Sequence, residues 1–250
     1  MATAAHAYKI VMRLIREEIP DFETYPKRTS KLHRFIGWAC NAPWFGKRRV
    51  NPGYMTSFYT TFNGKTAYPI NSNPITDWDV FPHEFIHLKQ EKKWTAAIFQ
   101  PLYLLGIPVY TVVAAALAVL GIPLWIWVAP WWTSLVVLGA GVLLSSPVPF
   151  GYWRGRWELQ AYAVSIALQY WLKEEVTDDY LEWSAHHFTS SDYFWMYPYG
   201  RAAYRKLEKA RGDTISGEIF KNKQYGEFLV KLHRELLALK LTSIRYKLDA

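Results

Sequence analysis

Three residues in one short stretch have the types and spacing of a metal site. His83-Glu84-Phe85-Ile86-His87 is an HExxH sequence. On a helix, positions i and i+4 share a face, so both imidazoles can reach one metal ion, while Glu84 lies beside it, where a bound water would sit. Two histidines leave a tetrahedral zinc site needing a third protein ligand and one open position. Glu158 is the candidate, as the one carboxylate in the otherwise aromatic and apolar run Arg156–Ala163. Burying a lone carboxylate is costly unless a partner compensates it. A metal would serve as that partner, and a salt bridge to Arg154 or Arg156 is the alternative.

The elements that must carry these residues are mostly helical. Apolar spacing predicts a helix over residues 5–18 (Ile10, Leu14, Ile15) and a second over about 30–40 (Leu32, Phe35, Ile36, Ala39). Thr56–Phe62 and Lys65–Ile70 flank Asn63-Gly64, the signature of a two-residue hairpin turn. Thr76, followed three residues later by Asp79, reads as a capping box opening the HExxH helix. Beyond the middle of the chain, helices are expected over about 156–172, 201–211 and 217–241. The expected fold is mainly α with a small β-hairpin.

Composition adds one anomaly. The chain has 250 residues, 51% of them hydrophobic, with a formal charge of +8. A single cysteine, Cys40, excludes an intrachain disulfide framework and a Cys-rich zinc site. The mean hydropathy of −0.09 conceals the stretch from Trp94 to Trp153, which contains no Asp, Glu, Lys, Arg or His. At about 20 apolar residues per crossing, it is long enough for two membrane spans and a turn. The turn is expected at Gly121-Ile122-Pro123, with Ala129-Pro130 as the rival. Lys92, Lys93, Arg154 and Arg156 flank the stretch, which predicts an integral membrane protein with two spans in the lipid bilayer, both termini and the polar domain being cytoplasmic. Three parts follow: 1–97 with N-terminal helices, hairpin and HExxH helix; 98–150 as the membrane hairpin; 151–250 as the helical part bearing Glu158. No secretory signal peptide is expected, because charges interrupt residues 1–30.

The order HEFIHLKQ, apolar segment, ELQAY is similar to that of integral-membrane gluzincin metallopeptidases, the HtpX-like and CAAX-prenyl-protease-like group. The resemblance covers roughly residues 56–172 and lies in order and spacing. It implies a zincin-like domain interrupted by a two-helix transmembrane hairpin, with Zn2+ held by His83, His87 and Glu158. It also implies Glu84 as general base and acid, and a strand before the helix (Thr56–Phe62 or Lys65–Ile70) that pairs with an extended peptide or protein substrate. Where the group has Asp four residues after the ligand Glu, to orient a ligand His, this chain has Tyr162. Its hydroxyl, Asp77 and Asp79 are the candidates for that role.

Hydrolysis would also require a donor for the developing oxyanion. The stretch 186–201 offers His186, His187, Tyr197, Tyr199 and Arg201, with Tyr197 and His187 foremost; a packing loop is the competing reading of this segment. The rival class of function is a membrane structural or interaction protein, catalytically inactive, that retains the motif as a metal-binding or vestigial feature. No nucleic-acid partner is expected: there is no P-loop or finger spacing, and Lys47-Arg48-Arg49 is only a short basic run.

Overall fold

The computed structural model describes residues 2–41, 51, 53–95, 147–190 and 199–246. It is mainly helical with one small three-stranded sheet. Helix α1 (Ala2–Glu18) buries Ala7, Val11, Leu14 and Ile15 along one stripe, the 3.6-residue spacing visible in its sequence. Strand β1 (Glu23–Pro26) and a 3-10 turn lead to α2 (Lys31–Asn41). Strands β2 (Thr60–Phe62) and β3 (Lys65–Tyr68) form the hairpin, shorter than their apolar runs. Asn63 and Gly64 take φ of 50° and 74°, the left-handed pair required by a two-residue hairpin turn.

The sheet order is β1-β3-β2, with β1 parallel and β2 antiparallel to β3. Of the two strands considered for substrate pairing, Lys65–Tyr68 is central and paired on both sides, which leaves Thr60–Phe62 as the edge strand.

Helix α3 (Phe81–Trp94) carries the HExxH sequence. The expected capping box is not what starts it. The Thr76 hydroxyl instead shares its one proton between the Asn73 carbonyl and Asp77 Oδ1, a 3-10 turn (Trp78–Val80) intervenes, and the helix opens at Phe81 with Pro82 in its first turn. Proline suits that position because its missing N–H has no intrahelical partner there. Helix α4 (Pro147–Lys173) packs along α3, followed by α5 (Asp178–Thr189), α6 (Gly200–Ser216) and α7 (Gly226–Ala238). A single helix over 217–241 does not form. Gly217 sits at φ 80°, and a 3-10 turn (Glu218–Lys221) brings Gly226 so close to the Phe220 carbonyl that a Cβ would lie 2.0 Å from its oxygen.

The expectation of an integral membrane protein is corrected by the structure: among the described residues, no helix is long and apolar enough to cross a membrane. Helix α4, the longest, carries Arg154, Arg156 and Glu158 within its length. The segment to which the two spans were assigned falls almost entirely at 96–146, outside the described residues.

The core joins α1, α3, α4 and α7. The Phe85 and Phe228 rings lie 4.3 Å apart between centroids, and Tyr8 meets Phe81 edge-on. Trp171, fully buried, stacks on Phe220. Burial of such rings, at about 2–3 kcal/mol each, is what holds α3 in place.

Candidate metal centre

Each successive residue of a helix turns by about 100°, and α3 uses this to face three neighbours. His83, His87 and Gln90 meet α4; Glu84 and Glu91 meet the hairpin; Phe85 meets α7. That is why nearly the whole circumference of this helix is buried, polar residues included. Helix α4 answers with the stripe Glu158, Ala161, Tyr162 and Ser165, spaced i, i+3, i+4, i+7.

The two helices bring together the three residues singled out as ligands. Glu158 Oε2 lies 3.6 Å from Nε2 of His83 and 3.6 Å from Nε2 of His87, and the two Nε2 atoms are 3.3 Å apart. The point equidistant from these three atoms is about 2.0 Å from each, the bonding distance of zinc to nitrogen and carboxylate oxygen. That point lies in the plane of the three donors; raised out of it to tetrahedral angles, an ion would stand about 2.1 Å from each. Among the described residues this is the one group of three His, Cys, Asp or Glu side chains arranged to hold a metal.

Hydrogen bonds prepare the imidazoles for that role. Nδ1 of His83 donates to Ser165 Oγ at 3.0 Å, and Ser165 passes its own proton toward the Ala161 carbonyl. Nδ1 of His87 donates to Gln90 Oε1 at 3.0 Å. With both Nδ1 atoms protonated, the Nε2 lone pairs point to the shared position. These orienting residues are Ser165 and Gln90. Tyr162 instead sets its ring edge-on against His83, with centroids 5.1 Å apart, while Asp77 accepts from the Tyr59 hydroxyl. Gln90 and Ser165 are neutral, and no charge in the sequence points to them; their one signal is spacing, three residues after His87 and seven after Glu158.

The Glu158 carboxyl and the His87 imidazole face each other out of contact with water. Burial works against the ionised Glu158 carboxyl, but His87 and His83 outweigh it and hold the group well below the usual carboxylate range. Burial likewise opposes charge on His87, yet the Glu158 carboxylate, with Glu84 and Gln90, raises it. A metal cation would take the place of the proton in satisfying this carboxylate.

Glu84 adjoins the ligands and accepts from Thr61 Oγ1 at 2.6 Å. A buried lysine without a signal in the sequence, Lys27, donates to the Tyr54 carbonyl at 2.7 Å and lies over the Tyr54 ring. Burial pushes its amine down to about 7, against the opposing pull of Glu84 and Cys40.

His83 and Glu84 open on a cleft of about 450 Å³, walled by Tyr59, Tyr162, Tyr180 and Trp183 and edged by Asp77 and Asp79. Of the oxyanion candidates, His187 spends its Nδ1 proton on the Trp183 carbonyl, with its ring against Trp183. His186 and Tyr199 are exposed, and Tyr197 lies outside the described residues. Comparison with family models, with curated proteins and with solved structures finds no match for this chain.

Proposed function

We propose that this protein is a zinc-dependent metallopeptidase of gluzincin type. The reading rests on one observation: His83, His87 and Glu158, brought together from two helices, surround a point at zinc-ligand distance from all three. The same residues would hold Zn2+ with Nε2, Nε2 and a carboxylate oxygen. When bound, zinc would supply Lewis acidity, polarising a carbonyl and lowering the pKa of a water toward about 7.

The chain's own groups provide the remaining chemistry. Glu84 takes a proton from water as it attacks the scissile carbonyl, then delivers that proton to the leaving amine. Ser165 and Gln90 keep the histidines in the Nδ1–H tautomer throughout. An extended peptide would lie in the cleft along Ser57–Tyr59, next to the β2 edge, and add to the sheet there. Tyr59, Tyr162 and Trp183 exclude water from its side chains.

A structural metal site without hydrolysis is the second reading, favoured by the depth of His87 and Glu158, at 2% and 1% exposure. The two are separated by one set of measurements. Purified protein should contain about one zinc per chain, and zinc should raise the unfolding temperature. Glu84→Gln should keep the zinc and lose hydrolysis of fluorescein-labelled casein. Protein without zinc affinity would refute both readings, and zinc-loaded protein that cleaves neither casein nor peptides would leave the structural one.

A further inference from the structure

Thr61 is buried on β2, and its hydroxyl donates to Glu84 Oε2 at 2.6 Å. A carboxylate only accepts, so the single Thr61 proton is committed to Glu84. The Thr66 hydroxyl, 3.1 Å from Thr61 Oγ1, must then be the donor to Thr61. The chain of hydroxyls therefore runs Thr66 to Thr61 to Glu84, with all three side chains buried.

The hairpin holds this chain in place. Thr61 and Thr66 are direct partners across the β2–β3 ladder. A slip of one residue would turn Thr61 to the opposite face of the sheet. The Asn63-Gly64 turn prevents the slip, and the turn is itself attached to α3, since the Gly64 N–H donates to Glu91 Oε2 at 3.1 Å. Glu91 is seven residues after Glu84, two helical turns along the same face. The hairpin is thus fastened to α3 at two points, one of which is the Glu84 carboxylate.

We propose that Thr61 is a positioning residue that aims the Glu84 carboxylate, with Thr66 and the hairpin register setting its own orientation. Holding Oε2 fixes where the carboxylate can meet a water or amine in the cleft that Glu84 lines. The catalytic meaning of this rests on the metallopeptidase reading; the fastening of Glu84 does not.

The test uses the full chain and two independent measurements. In zinc-loaded protein acting on fluorescein-labelled casein, Thr61→Val should lower kcat by about 10–100-fold, with KM within about twofold and zinc content unchanged. Thr61→Ser, which restores the hydroxyl, should recover most of kcat. A Thr61→Val protein with unaltered kcat, or a loss that Thr61→Ser fails to recover, would overturn the inference. In zinc-free protein, thermal unfolding of Thr61→Val, Glu84→Ala and the double variant should be non-additive, because the two side chains share one bond. Additivity would overturn the positioning of Glu84 whatever casein shows. Non-additivity in a protein that, zinc-loaded, cleaves neither casein nor peptides would uphold the positioning and remove the peptidase reading.

Discussion

Gln90 accepts from Nδ1 of His87 at 3.0 Å, and in doing so ties that ligand to the helix bearing the third one. Its carboxamide nitrogen donates to the Trp157 carbonyl at 3.1 Å and to Gln160 Oε1 at 2.9 Å, on either side of Glu158. One buried amide therefore fixes the His87 tautomer and the approach of α4 to α3.

Replacing Gln90 should loosen the metal more than the fold. In Gln90→Leu, His87 loses the acceptor that keeps its Nε2 lone pair directed at the site. Zinc affinity, measured by competition with a chromophoric chelator, should fall by about 10–100-fold. Gln90→Glu preserves an acceptor for Nδ1 and should bind zinc more tightly than Gln90→Leu. Equal affinity of Gln90→Leu and wild type would show that the amide serves only to join the helices.

A pH dependence of stability follows from a second buried histidine. His33 accepts or donates at both nitrogens, to Tyr25 Oη at 2.9 Å and Tyr54 Oη at 2.6 Å. Burial, with the charge of Lys27 nearby, pushes it down to about 4 from 6.5. Between those values the unfolded chain binds the proton and the folded chain does not, so stability rises with pH across the window and is lost as pH falls through it. The full span is worth about 3 kcal/mol. His233, lowered by burial and only partly compensated by its bond to the Ile244 carbonyl, acts in the same direction. Urea unfolding of zinc-free protein between pH 4.5 and 6.5 should show this rise, and His33→Gln, which does not titrate, should reduce it.

The sequence was most legible where periodicity or chemistry is local. The apolar stripe of α1, the Asn63-Gly64 turn and the HExxH spacing are each contained within a few residues of each other. Glu158 could be singled out because a carboxylate among Trp157, Leu159 and Ala161 is conspicuous. Strand β1 was not legible: its four residues, Glu23–Pro26, include a proline and become a strand only by pairing with β3 some 40 positions later. The hydroxyl and amide partners, Thr61, Ser165 and Gln90, are ordinary polar residues until the tertiary structure sets them beside Glu84, His83 and His87. The long uncharged stretch invited a membrane reading because hydropathy registers apolar length alone. The described helix that follows it, α4, is instead interrupted by charges and turns its carboxylate toward two histidines.

The last expectation concerns the turn between Thr61 and Thr66. Gly64 has φ of 74°, and a Cβ there would meet no atom within 4 Å, so backbone conformation is the whole cost of substituting it. Holding an L-residue in the left-handed region costs about 1–2 kcal/mol. Gly64→Ala should lower unfolding stability by that amount in zinc-free protein. Gly64→Asn should lose less, since asparagine tolerates this region better than other residues with a side chain. Because the same turn sets the Thr61–Thr66 register, Gly64→Ala should also reduce casein turnover while leaving zinc content at wild-type levels. A variant that loses stability without any change in kcat would mean that the register survives, pinned by the Gly64–Glu91 bond and the cross-strand threonines alone.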